Sequence, residues 1–131
     1  MTTYHRFFFP QGSSVSLNKV EAIVLGTCIR CSLDEGLIRI DNVEVGIVEF
    51  TARDHPTFAD DLSLVLRQAK SSKLDEHVIA QLQDCAGFLL FQPLNDKAAD
   101  WQKLFWRELF KSFPDAILVL NSGSCILSAC Y

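Results

Sequence analysis

The sequence predicts an α+β domain: an antiparallel meander plus a βαβ crossover forming a mixed sheet, with helices packed mainly on one face. Three observations carry this expectation. Residues 27 to 51 hold apolar residues at a period of two, cut by the turn-forming groups Asp34-Glu35-Gly36 and Asp41-Asn42. Past Arg53 the period changes to 3.6 over two consecutive amphipathic segments. Beyond them a helical segment stopped by Pro114 separates two continuously apolar runs, Phe88 to Phe91 and Ala116 to Leu120, the spacing of a parallel crossover. The chain of 131 residues, 49% of them hydrophobic, fits one globular domain over residues 1 to 131. At this size about 70% of the unfolded surface can be buried without disulfides or a metal, and disorder is excluded.

Taken in order, Tyr4 to Phe9 is aromatic-rich and ends at Pro10-Gln11-Gly12, which reads as a strand and a loop. For residues 16 to 26 two readings compete. Ser16 as a cap, the spacing of Leu17, Val20, Ile23 and Val24, and Gly26 as a left-handed stop favour a helix; the rival is one long strand from Val20 to Ser32. Thr27 to Ser32, Gly36 to Ile40 and Val43 to Thr51 then form the meander. In its third strand Val43, Val45 and Ile47 alternate with Glu44, Gly46 and Val48. Thr57 and Asp60 offer a capping-box-like start for a helix whose stripe is Phe58, Leu62, Val65, Leu66 and Ala69. Ser72 and Asp75 offer another, with Leu74, Val78, Leu82 and Cys85 as the stripe and Gly87 as the stop. Asp96 to Phe113 is the crossover helix, and Asn121-Ser122-Gly123 turns the chain into a last strand, Cys125 to Tyr131.

Charge narrows the functional classes. Twelve Lys and Arg stand against sixteen Asp and Glu, a formal net charge of -4, and the basic residues are scattered. A nucleic-acid-binding surface needs clustered cations to neutralise phosphates, so that class is disfavoured. The imbalance is local: residues 54 to 87 carry six acids and three bases, while residues 1 to 53 carry six and five and residues 88 to 131 four of each. Phe7-Phe8-Phe9 is broken by Pro10, short of a secretory core, and no apolar run approaches a bilayer-spanning length, so no membrane association and a cytoplasmic location are expected. Five cysteines, an odd number, are expected to be free thiols.

Candidate chemistry is sparse. Cys28-x-x-Cys31 and Cys125-x4-Cys130 could supply thiolates to zinc, but residues three or five apart on a strand point to opposite faces, so buried small hydrophobes are the favoured reading and no metal is expected. His55 stands beside Asp54 and before Asp60 and Asp61, the makings of a general base or half a metal site. Carboxylates at a helix start are equally what the macrodipole favours, with Arg67, Lys70 and Lys73 toward the other end. His77, next to Glu76, is expected on the wet side. Phosphate-binding glycine loops and nucleophile elbows are absent, so no cofactor is expected and the balance is against an enzyme. In the crossover helix Trp101, Leu104, Phe105 and Leu109 form a core stripe, which Trp106, Phe110 and Phe113 widen beyond an ordinary apolar arc. Either neighbours wrap this helix, or Trp106 and Phe110 surface as a partner-binding patch.

The leading functional expectation is a non-catalytic, acidic protein-binding domain that meets a basic partner through Asp54, Asp60, Asp61, Asp75, Glu76 and Asp84, with Trp106 and Phe110 as apolar contacts. A bacterial immunity or antitoxin-type inhibitor of a basic toxin such as a nuclease has this profile. Two alternatives stand beside it. One is a small-molecule-binding protein or enzyme with its site beyond the strand ends, at Gln92, Asn95, Asn121 and Ser122. The other is a homo-oligomeric structural domain that pairs through its last strand or its aromatic helix.

Overall fold

A computed structural model describes residues 3–28, 30–71, 76–96 and 99–128. The elements are β1 (His5–Phe9), α1 (Leu17–Gly26), β2 (Cys31–Asp34), β3 (Leu37–Ile40), β4 (Val43–Ala52), α2 (Phe58–Ser71), α3 (Glu76–Gln83), β5 (Gly87–Pro93), α4 (Ala99–Ser112), β6 (Ile117–Val119) and β7 (Cys125–Leu127). The fold is α+β, as expected, with seven strands in one open sheet of order β2-β3-β4-β5-β1-β6-β7.

Local chemistry explains most boundaries. Ser16 sits in extended conformation and its Oγ accepts from the Lys19 N–H at 3.2 Å, so residues 16 to 26 take the helical reading. Gly26 is not the left-handed stop. It remains in the helix, and Thr27, still right-handed, closes the end by donating its backbone N–H and its hydroxyl to the Val24 carbonyl. The expected strand at Thr27 to Ser32 therefore starts four residues later, at Cys31. Both turns of the meander are two-residue hairpins with positive φ at each central position: 51° and 86° at Glu35 and Gly36, 52° and 66° at Asp41 and Asn42. That geometry matches the right-handed twist of the flanking strands.

Two expectations about the layers are corrected. The sheet is not mixed: β5 and β6 run parallel and α4 does cross between them, but β1 lies in the gap, antiparallel to both, and every described pairing is antiparallel. Nor do the helices share one face. Phe7 and Phe9 of β1 point into a core with Leu89, Phe91 and Leu118, covered by Val20 and Val24 of α1 and by Trp101, Phe105, Trp106, Leu109 and Phe110 of α4. Phe8 points the other way, into a core with Phe88, Ile117 and Val119 under Phe58 and Val65 of α2 and Leu82 of α3. A central strand with three consecutive phenylalanines almost wholly buried needs a cover on each side. Burying each such ring contributes roughly 1.5–3 kcal/mol.

Register also departs from simple alternation in β4. The pairing with β3 shifts between Ile38 and Arg39, and Val45 is the extra residue. The bulge puts Val45 and Val48 in the core while Val43 and Ile47 are 45% and 38% exposed. The expected single buried face of Val43, Val45 and Ile47 is thus split.

Candidate functional site

The acidic segment folds as two helices packed against one another on the Phe8 face of the sheet. Its architecture turns on Arg53. This residue ends the approach from β4, and its Nη1 donates to the carbonyls of Gln83 at 2.9 Å and Cys85 at 2.7 Å, satisfying the C-terminal end of α3 while the guanidinium lies 5.7 Å from the Phe58 ring centre. Asp54 and Asp84 are thereby brought to one end of the helical pair, where Asp60 stands in the first turn of α2. All three are exposed, and among the described residues none forms an ion pair. Asp61 differs: it faces Arg6 of β1 at 4.0 Å, and that guanidinium also sits 5.8 Å from the Phe88 ring. Glu76 opens α3 and is exposed, about 12 Å along the helix axis from Asp84. Asp75 lies outside the described residues, as do its expected cap partner Ser72 and Leu74 of the apolar stripe.

His55 has a local task. Its Nδ1 accepts from the backbone N–H of Thr57 at 3.2 Å and lies 2.9 Å from the Thr57 hydroxyl, while the Thr57 carbonyl accepts the N–H of Asp61 at the start of α2. Among the described residues no group of three or more His, Cys, Asp and Glu is placed to hold a metal ion. Cys85 is buried, and burial pushes its thiol up to about 11, so it is not a nucleophile near neutrality. Burial also raises Cys31 and Cys125. Cys130, the other half of the C-terminal pair, lies outside the described residues.

The aromatic surface patch is corrected outright. Trp106 is 3% and Phe110 4% exposed. Trp106 stacks on Phe7 at 6.2 Å and meets Phe91 edge-on at 5.5 Å, and Phe110 meets Phe7 edge-on at 5.0 Å. The wide apolar arc of α4 is explained by what surrounds it: the sheet beneath and α1 alongside. Trp101 completes that junction by donating its indole N–H to the Thr27 hydroxyl at 2.9 Å.

The strand-end site takes a different form from the one expected. With β1 between β5 and β6, no crevice opens between adjacent parallel strands. Asn121 instead fastens the sheet: its Oδ1 accepts from the Tyr4 N–H, and its own N–H donates to His5 Nδ1, both at 3.1 Å. Ser122 bonds Ser124 at 3.1 Å within the turn. His5 has a pH signature, because burial lowers its pKa below 6.5 and the Asn121 bond occupies the lone pair that a proton would take. The unfolded chain protonates near 6.5 while the folded chain resists. The stability contribution is therefore complete above that value and is lost as pH falls through the folded pKa. An NMR titration is expected to place His5 below 6.5, and His5→Gln should flatten the decline in unfolding free energy between about pH 7 and pH 5. A His5 that titrates at or above 6.5 would contradict this account.

At the opposite end of the same strands lies a concavity that pattern reading did not find. It has a volume of about 330 Å³ and runs between α3, the segment Pro10-Gln11 after β1, and Asp115 before β6. His77, Ala80, Gln81 and Asp84 line it from one side of α3, and Phe8, Cys85 and Ile117 form its apolar floor. The spacing of 77, 80, 81 and 84 was legible as one helical face. The partners from residues 10, 11 and 115 were not, because only the strand order brings them there. No protein-family model matches the chain, and neither a curated protein nor a solved structure matches it. No described helix is long and apolar enough to cross a membrane.

Proposed function

We propose that the chain is a non-catalytic binding domain for a basic protein, using the end of the α2–α3 pair that carries Asp54, Asp60 and Asp84. One observation carries this reading: these carboxylates are exposed and form no ion pair among the described residues, while the guanidinium of Arg53 is engaged by the carbonyls of Gln83 and Cys85 and that of Arg6 by Asp61. Three carboxylates against the single guanidinium of Arg53 leave a net negative field there, which speeds encounter with a partner of the other sign and rejects like-charged ones. Inhibition of a basic toxin such as a nuclease, the role of an immunity protein, is the specific biological form we favour. Trp106 and Phe110 drop out of the contact set, and the apolar contribution must come from elsewhere on the surface.

The test is recovery from the native host with the tagged chain, eluted in rising salt, followed by kinetics on the isolated pair. A basic protein in one-to-one ratio is expected, with an association rate that falls steeply with salt and drops roughly tenfold or more in the Asp54→Asn/Asp60→Asn/Asp84→Asn variant. Binding that ignores both salt and the triple substitution would refute the electrostatic reading.

A further inference from the structure

The concavity beside α3 shares Asp84 with the proposed partner surface and has a chemistry of its own. Its floor is apolar, made by Phe8, Ile117 and Cys85, all 2% exposed or less. Its rim carries two carboxylates, Asp84 from the end of α3 and Asp115 from the turn before β6. Among the described residues no Lys or Arg lines it, and the polar remainder is His77, Gln81 and Gln11. A volume of about 330 Å³ falls at the lower end of the range, roughly 300–1,000 Å³, that small-molecule sites occupy.

We infer that this concavity binds a small organic ammonium ion, an amine with an apolar body that covers the Phe8–Ile117 floor while its charged end lies between Asp84 and Asp115. Apolar area supplies the attraction, and the two carboxylates supply the choice of charge. The thiol of Cys85 stays protonated near neutrality, so the floor adds no charge and the discrimination rests on the rim. Because both carboxylates are exposed to solvent, their effect is modest, roughly a two- to fivefold change in affinity each.

The experiment uses three probes of nearly the same shape: 2-phenylethylammonium, 2-phenylethanol and phenylacetate, titrated into the full chain and followed by amide NMR shifts. The ammonium ion is expected to shift residues lining the concavity and to bind roughly five- to twentyfold more tightly than the alcohol, with phenylacetate weakest. Asp84→Asn and Asp115→Asn should each bring the ammonium ion toward the affinity of the alcohol, leaving the alcohol unchanged. Ala80→Leu, at an exposed helical position on the wall, should block all three probes without a change in unfolding midpoint. Equal affinity for ammonium ion and alcohol, shifts that map elsewhere, or no binding up to the solubility of the probes would each overturn the inference. Asp84 is shared with the partner surface, so the two readings are separated by Asp115→Asn and Ala80→Leu, which keep Asp54, Asp60 and Asp84 and are expected to leave the salt-dependent partner assay unchanged.

Discussion

Replacing Trp106 by alanine is expected to cost about 3–5 kcal/mol of folding stability, the range for deleting a large aromatic from a well-packed core. The indole is 3% exposed and lies at the centre of an aromatic cluster: Phe7 stacked at 6.2 Å, Phe91 edge-on at 5.5 Å, Phe105 tilted at 5.0 Å, and His5 edge-on at 6.4 Å. Phe7 and Phe91 lie on paired strands, so their backbones cannot close around the space the indole leaves. A cavity remains, and its lining loses dispersion contacts as well as hydrophobic transfer energy. Urea denaturation would show the midpoint falling with little change in slope, or no cooperative transition at all. The same substitution separates two accounts of α4. A stably folded Trp106→Ala protein that fails to bind its partner would return the residue to the surface role that the sequence pattern allowed.

Gly46→Ala is the second large effect, about 1–3 kcal/mol of destabilisation from overpacking. Gly46 follows the bulged Val45, and its backbone lies against the Phe91 ring; a Cβ there would collide with that ring and reach 3.2 Å from the Gln92 carbonyl oxygen. The ring has nowhere to go. Trp101 at 6.1 Å, Phe105 at 5.9 Å and Trp106 at 5.5 Å hold its other sides. Thermal or chemical unfolding of Gly46→Ala would measure the effect. A change within about 0.5 kcal/mol would mean that Phe91 repacks freely.

How far the candidate sites were readable follows the same division. The three exposed carboxylates Asp54, Asp60 and Asp84 could be singled out from local composition, since charge is a property of the residues themselves. Their grouping at one end could not, because it depends on Arg53 reaching carbonyls about thirty residues further along the chain. Asp61 looked equivalent to Asp60 until the fold placed Arg6 opposite it. The concavity is more extreme: its walls come from residues 8 to 11, 77 to 85 and 115 to 117, and no local signal links these segments.

Local interactions by themselves determined the α+β class, the Ser16 cap, the two-residue turns at Glu35-Gly36 and Asp41-Asn42, and the apolar stripes of the helices. Each depends on atoms a few residues apart, on φ preferences and on side-chain periodicity. Tertiary structure alone decided that β1 inserts between β5 and β6, that helices cover both faces, and that Trp106 is core. Periodicity gives the direction in which a side chain points relative to its own element, but not which other element lies there. For β1 that choice follows from Phe7-Phe8-Phe9, whose consecutive rings can be buried only in a central strand with a layer on either side.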